Sequence, residues 1–98
     1  MTRKVFLHFE VISEVEAARS YYTNISKILA EDFYEDFLLC LSKAKRNPDL
    51  YGRKMRGLRR INFRRFPYHL FYGRDGDDLY VSLVRHHSRD PSYGIDRF

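Results

Sequence analysis

The sequence predicts an α+β domain in which a helical hairpin packs on one face of a mainly antiparallel sheet. Three observations lead to this prediction. Apolar residues alternate near the N-terminus and again over the second half of the chain, as they do in half-buried strands. Between these regions they recur with helical spacing, which indicates two consecutive helices. The predicted order is strand, helix, helix, strand, strand, strand, within a single domain over residues 1–98.

The first predicted strand lies close to the N-terminus. Val5, Leu7 and Phe9 alternate with Phe6 and His8, which predicts a strand with one strongly buried face. We expect His8 to be an ordinary strand histidine with no role in a site.

The first predicted helix begins at Ser13. Residues 13–16 have the Ser-x-x-Glu pattern of a capping box, in which both side chains bond to free backbone N–H groups. Thr23 and Asn24 are predicted to end this helix, and Ser26 is predicted to cap the next. One stripe of the helix carries the apolar residues Val15, Ala18, Tyr22 and Ile25.

The second predicted helix has the clearest apolar face. Acidic residues in its early turns and basic residues in its last turns both favour the helix dipole. Asn47 and Pro48 end it, because the residue before a proline avoids the helical conformation. The apolar face comprises Leu29, Phe33, Phe37, Leu41 and Ala44.

Two features of this helix are predicted to carry no chemistry. The acidic cluster has no histidine or cysteine at ligand spacing, so we expect water-facing helix charges and no metal site. Cys40 is expected to be a small buried apolar residue and no nucleophile. The cluster comprises Glu31, Asp32, Glu35 and Asp36.

A strongly basic segment follows, from Arg53 to Arg74. It predicts two strands joined at Phe66 and Pro67, with apolar side chains on one face and guanidinium groups on the other. Such a surface suits an anionic partner, although charge runs are also common on faces that contact only water. Between residues 53 and 65 the cations are Arg53, Lys54, Arg56, Arg59, Arg60, Arg64 and Arg65.

A final hairpin completes the predicted sheet. Asp75 and Gly76 form its expected corner, and residues 79–84 form an inner strand that is covered on one side by helices. That strand brings Arg85, His86 and His87 to its end, and a short tail follows them.

Bulk composition narrows the class of protein. Net charge is +5, and the second half of the chain holds the whole excess, which indicates a nucleic acid or an acidic protein as partner. A single cysteine permits no disulfide within the chain and fits a reducing cytosol. No apolar run is long enough for a signal peptide or a membrane span, so we expect a cytoplasmic location and no membrane partner.

Several short segments, in this order and spacing, resemble one known family. They are Tyr21-Tyr22, Glu31-Asp32-Phe33, Asn47-Pro48, Gly57-Leu58-Arg59-Arg60, Arg65-Phe66-Pro67-Tyr68 followed by Phe71-Tyr72, and Val84-x-x-His87-x-x-Arg89-Asp90-Pro91. Together they resemble the RelE/ParE toxin superfamily of type II toxin–antitoxin systems, most closely its ParE, or plasmid-stabilisation, branch.

The resemblance implies a small toxin of RelE/ParE-like fold that a cognate antitoxin neutralises. In that family the antitoxin wraps the toxin with an acidic amphipathic tail, and a basic surface with interleaved apolar residues would suit such a partner. The resemblance implies no cofactor and no metal.

Members of this superfamily differ in the cellular target on which they act. ParE-like members act on DNA gyrase, whereas RelE-like members cleave messenger RNA in the ribosome without a metal. A metal-free endoribonuclease needs a base, an acid and cations for the phosphorane. The candidates for those roles are His87 as acid or base, Arg85, Arg64 or Arg65 as phosphate clamps, His86 or His69 in support, and Tyr93 for stacking on a base.

The nuclease pattern is incomplete. Arg85 and His87 match the arginine and histidine of one nuclease group, but its terminal tyrosine is Ser88 here and its strand arginine is His69. The lysine pair of RelE itself is reduced to Lys54. We therefore favour a gyrase inhibitor of the ParE branch, with a ribosome-dependent endoribonuclease as the alternative and a non-toxic antitoxin-binding relative as a second alternative.

Overall fold

A computed structural model describes residues 3–97 and shows an α+β fold with a five-stranded sheet. The sheet order is β1-β5-β4-β3-β2, and only the β1–β5 pair is parallel. This confirms the predicted fold class and adds one short strand after the helical hairpin. The elements are β1 (Val5–Leu7), α1 (Phe9–Thr23), α2 (Lys27–Arg46), β2 (Arg53–Met55), β3 (Leu58–Asn62), β4 (Tyr68–Asp75) and β5 (Asp78–His86).

The first helix begins four residues earlier than predicted. β1 ends at Leu7, and α1 starts at Phe9 with His8 as its N-cap. The Nδ1 atom of His8 accepts a hydrogen bond from the backbone N–H of Glu10 at 3.2 Å, which satisfies one free donor of the first turn. The capping box at Ser13 and the strand role of His8 were therefore wrong. Phe9, expected on the buried face of a strand, is 75% exposed.

The junction between the helices is as predicted. The N–H of Asn24 bonds to the carbonyl of Ser20 at the end of α1. The hydroxyl of Ser26 accepts from the N–H of Leu29 at 3.4 Å and opens α2. Val15 and Ala18 are buried as expected, but Ile25 lies in the turn and is 62% exposed.

The helices bury their apolar stripes against one face of the sheet. The ring of Phe33 is fully buried, with its centroid 4.9 to 5.3 Å from those of Tyr68, Phe63 and Phe66. Burying large aromatic side chains supplies much of the free energy that stabilises a domain of this size. Cys40 is also buried, and burial raises the pKa of its thiol to about 12, so it is a packing residue as predicted.

The basic segment contains a turn that the sequence reading missed. β2 and β3 form a short antiparallel pair, and the turn between them places Arg56 and Gly57 at positive φ angles of 52° and 77°. The predicted connection at Phe66 and Pro67 joins β3 to β4.

The β4–β5 hairpin determines which side chains face the helices. Its loop comprises Gly76 and Asp77, one residue later than predicted, and Gly76 has a φ of +61°. Phe71 pairs with Leu83 but Tyr72 pairs with Val81, so Ser82 is an extra, bulged residue.

Alternate residues on a strand face opposite sides of the sheet, and the bulge shifts this alternation by one residue within β5. Leu70, Tyr72 and Val84 face the helices and belong to the hydrophobic core. The residues that alternate with these lie on what we call the open face, the side of the sheet without helices.

Among the described residues, no helix is long and apolar enough to cross a membrane.

The tail, residues 88–97, folds back over part of the open face. A Cβ atom added at Gly94 would lie 3.1 Å from the side chain of Leu83, so the tail backbone packs closely on the sheet. The guanidinium of Arg97 donates to the carbonyl of Ser82 at 3.0 Å and to the carboxylate of Glu14 at 2.7 Å. These contacts bury Leu83 completely.

Candidate functional site on the open face

Three strands place polar side chains in a row on the open face. Asn62 of β3 pairs with His69 of β4, which pairs with Arg85 of β5. Arg60 lies two residues before Asn62 and therefore shares its face. His87 follows the end of β5, and its ring lies nearly parallel to that of His69, with ring centroids 5.1 Å apart and an interplanar angle of 12°.

A chain of hydrogen bonds joins these residues and fixes their tautomers. The Nε atom of Arg85 donates to Nε2 of His69 at 2.9 Å, and Nδ1 of His69 lies 2.8 Å from Nδ1 of His87. A guanidinium can only donate, so Nε2 of His69 is unprotonated and its proton is on Nδ1. We therefore assign Nδ1 of His87 as the acceptor and Nε2 of His87 as the nitrogen that carries the proton.

The electrostatics of the cluster agree with this assignment. Burial, with the charges of Arg60 and Arg85, lowers the pKa of His69 to about 3. Burial and the charge of Arg60 also lower the pKa of His87. Both rings are thus neutral at physiological pH, as the assignment of one protonated nitrogen to each ring requires.

Arg85 holds the tail in place. It is 7% exposed, and its Nη1 atom donates to the carbonyls of Pro91 and Tyr93 at 2.8 and 3.0 Å. Its guanidinium also lies 4.9 Å above the ring of Phe71. These contacts use three of its five N–H donors, and the residue is nearly buried, so Arg85 is positioned to organise the site and not to clamp a substrate.

Arg60 is the cation beside His87. Its Nε atom donates to the side-chain carbonyl of Asn62 at 2.8 Å, and its Nη2 atom lies 3.4 Å from Nδ1 of His87. Arg60 is half-buried and His87 is exposed, so both can be reached from outside.

The other arginines that the sequence singled out lie elsewhere. Arg64 and Arg65 follow β3, in the loop that packs on α2, and Arg65 pairs with Asp32 at 3.3 Å. Arg59 donates to the carbonyl of Tyr51 at 2.6 Å, on the face of β3 opposite to Arg60. The structure therefore does not bring Arg64 or Arg65 together with Arg85 and His87.

The remaining cations of the basic segment lie at the β2 edge. Arg56 pairs with Asp96 at 3.1 Å, and both side chains are largely exposed. Arg53 and Lys54 belong to β2, are exposed, and form no ion pair within residues 3–97.

Asp36 corrects the prediction that the acidic cluster of α2 faces water. It is 6% exposed, and its two carboxylate oxygens accept the backbone N–H groups of Arg64 and Arg65 at 3.0 and 2.9 Å. Its role is to hold the β3–β4 loop against α2. No group of three or more metal-ligating side chains occurs in the part of the chain that the structure describes.

Tyr93 and His86 lie outside the cluster. The ring of Tyr93 is held between the guanidinium groups of Arg89 and Arg97, at 4.1 and 5.0 Å. The Nδ1 atom of His86 accepts from the backbone N–H of Ser88 at 3.0 Å, and its ring packs on Tyr68. Neither residue contacts His87 through a side-chain hydrogen bond within the described chain.

Two contributions to the cluster were missed from the sequence. His69 was considered only as a supporting group, although it is the buried centre of the chain. Arg60 was placed among the binding cations, but its position beside His87 was not foreseen. The signal was available in part, because Arg60 and Asn62 alternate with Ile61 and so share a face.

Comparisons with known proteins agree with the fold and its sequence pattern. Residues 5–91 match the family described as the ParE toxin of type II toxin–antitoxin system, parDE. A solved structure titled "Chromosomal ParDE TA system from P. aeruginosa" superposes with a TM-score of 0.64 at 12% identity, covering 87% of this chain and 96% of that one. No curated protein matches the chain. Because the family match spans most of the sequence, the chain belongs to the ParE toxins of type II toxin–antitoxin systems.

Proposed function

We propose that this ParE-family toxin inhibits DNA gyrase by binding it, without chemistry of its own. The observation that carries the proposal is the hydrogen-bond chain from Arg85 through His69 to His87. Because of this chain of hydrogen bonds, His87 lacks the free lone pair that a ribonuclease reaction would require of it.

A general base needs a lone pair that can reach the proton it removes. In the neutral ring of His87 the only lone pair is on Nδ1, and this atom faces the N–H of His69 and the guanidinium of Arg60. The other nitrogen already carries its proton. His87 can therefore donate a hydrogen bond but has no free lone pair with which to deprotonate a 2′-hydroxyl.

The positions of the cations also argue against a ribonuclease. Arg85 is committed to the tail, and Arg64 and Arg65 lie beside α2. Within residues 3–97, Arg60 is the one cation that forms a side-chain hydrogen bond with His87 and could stabilise a phosphorane there. A single cation without a base falls short of the set that metal-free cleavage requires.

One observation favours the second candidate, a ribosome-dependent endoribonuclease. Arg60 and His87 do lie together on an accessible surface. Cleavage would require His87 to break its bond with His69 so that Nδ1 becomes free. We rank this candidate second because the hydrogen bond between His69 and His87 is formed in the folded chain.

We further propose that the cognate antitoxin contributes an acidic amphipathic segment. The chain carries a net charge of +5, so complementary charge would steer such a partner. Apolar side chains exposed on the helical hairpin would receive its apolar face. They include Phe9, Ile12, Tyr21, Ile25 and Ile28.

Both candidate targets, gyrase and the translating ribosome, lie in the cytoplasm, so we propose that the toxin acts there. The test is to express the chain without its antitoxin and to measure plasmid supercoiling and transcript integrity in the same cells. We expect relaxed plasmid and intact transcripts, and purified gyrase should lose supercoiling activity when the chain is added. Cleaved transcripts with normal supercoiling would refute the gyrase proposal in favour of the nuclease.

A further inference from the structure

We propose that the cleft between α1 and the outer edge of β5 binds an extended, acidic segment of a protein partner, which adds to the sheet as a parallel strand. The cleft lies at the edge of the sheet beside α1 and is separate from the histidine cluster of the open face. This inference goes beyond gyrase inhibition, because it identifies a peptide-binding surface and does not depend on which macromolecule is the target.

The outer edge of β5 is only partly covered by β1. The last residue of β1, Leu7, pairs with Val81, whereas β5 continues to His86. Within residues 3–97, the stretch 82–86 therefore has no neighbouring strand on that side. A strand edge with free N–H and C=O groups is a template on which another chain can pair.

A side-chain ion pair takes the place of a strand residue opposite Leu83. The guanidinium of Arg97 donates to the carbonyl of Ser82 at 3.0 Å. The carboxylate of Glu14, bonded to the same guanidinium, accepts the N–H of Val84 at 3.0 Å. A residue of a parallel strand would make these same two bonds, one to the residue before its neighbour and one to the residue after it.

The next position along this edge, opposite Arg85, offers two backbone groups. The N–H of His87 donates to the carbonyl of Pro67, just before β4, so Val84 and His86 turn their backbone groups the other way. Within residues 3–97, neither the carbonyl of Val84 nor the N–H of His86 has a partner outside the β4–β5 ladder. An extended residue opposite Arg85 would donate to the first group and accept from the second.

The walls of the cleft leave room for such a segment. Its volume is about 430 Å³, within the range of about 300–1,000 Å³ that is usual for ligand-binding clefts. On the α1 side it is lined by the small side chains of Ser13 and Ala17, and the rings of Tyr21 and Tyr68 also line it. Small side chains allow a backbone to lie close to the helix, and the rings provide surface on which side chains of the segment can pack.

One cation at the end of the cleft favours an acidic segment. Arg89 is exposed in the turn after β5, and its guanidinium lies 4.1 Å from the ring centroid of Tyr93. It forms no ion pair within residues 3–97. The acids of the cleft, Glu10 and Glu14, are both paired with Arg97. A segment parallel to β5 runs toward Arg89, so its carboxylate should follow the paired residue in sequence.

The experiment titrates the folded chain with the peptide acetyl-Thr-Val-Thr-Val-Thr-Glu-amide and follows the backbone amides of the protein by NMR. We expect a saturable shift of the His86 N–H, because this group gains an acceptor. Arg89→Gln should weaken binding about tenfold, the loss of one charge-assisted hydrogen bond. Arg64→Gln is the matched control, because it removes an equal charge outside the cleft and should leave the dissociation constant unchanged.

Two modified peptides test the strand pairing itself. Methylation of the peptide's backbone nitrogens removes the N–H group that would donate to Val84, and it should abolish the saturable shift. The reversed sequence, acetyl-Glu-Thr-Val-Thr-Val-Thr-amide, places the carboxylate at the end away from Arg89 and should bind about tenfold more weakly. If either modified peptide binds as tightly as the original, the proposal is overturned.

A pair of α1 variants tests the position of the segment. Ala17→Phe places a ring in the cleft and should abolish binding. Ser20→Phe places the same ring at an exposed position of α1 outside the cleft and should leave binding unchanged. No saturable shift at His86 in the unmodified chain, or equal binding by these two variants, would overturn the proposal. All measurements use the isolated chain, so their failure is distinct from failure of the gyrase assay.

Discussion

Acidification from pH 7.5 to pH 5 should destabilise this protein through one buried histidine. His69 is held neutral in the folded chain, where burial and the nearby arginines lower its pKa to about 3 from the ordinary value of 6.5. In the unfolded chain it recovers that ordinary value. The unfolded state therefore binds a proton below pH 6.5 that the native state does not bind, and stability falls with pH.

The size of the effect follows from these two pKa values. The contribution of His69 to the free energy of unfolding is intact above pH 6.5 and is lost progressively as the pH falls toward 3. Integration of the proton linkage gives a loss of about 2 kcal/mol between pH 7.5 and pH 5. The lowered pKa of His87 adds a loss of the same sign.

Urea denaturation at the two pH values measures the effect, and His69→Gln serves as the matched variant because it removes the titrating group. The pH-dependent loss should be about 2 kcal/mol larger in the unmodified chain than in the variant. Equal losses in both proteins would refute the reasoning. So would an NMR titration in which His69 gains its proton near pH 6.5 while the chain is still folded.

Three further predictions concern other buried groups. Asp36→Asn should lower the free energy of unfolding by about 1–3 kcal/mol, because one backbone N–H in the Arg64 loop loses its acceptor; an unchanged urea midpoint would contradict this. Arg97→Gln should cost about 3–5 kcal/mol, because the largely buried carboxylate of Glu14 would keep the N–H of Val84 but lose its ion pair. Adding Glu14→Gln should recover part of that cost, and strictly additive losses would argue against the pair. Cys40 should react with thiol reagents only on unfolding, since burial raises its pKa to about 12, and rapid labelling of the native chain would show otherwise.

Local signals in the sequence predicted α2 and the helical turn well. The cap at Ser26 and the end at Asn47 are encoded by side chains and a proline next to them, so no distant contact is needed to place them. The start of α1 was misplaced because Phe9 continues the alternation of β1. In the folded chain its ring is exposed and stacks on the cap residue His8 instead.

The site was harder to predict because it depends on register. Counting back evenly from the β4–β5 turn would pair His69 with Val84, which faces the core. The extra residue at Ser82 shifts the pairing by one, so that His69 meets Arg85 on the open face. Nothing in the local sequence marks this bulge, and the hydrogen-bond chain to His87 could not be foreseen without it.

The parallel pairing of β1 with β5 has a consequence for how the chain is made. Val5 lies beside Leu79, so the N-terminal strand finds its partner only after almost every other element has been synthesised. The helical hairpin consists of local contacts and can form early, whereas this closing contact is among the most distant in the chain. A ribosome translating this toxin would carry an incomplete sheet until the last strand emerges, and the nascent chain would expose the unpaired backbone of β1 during that interval.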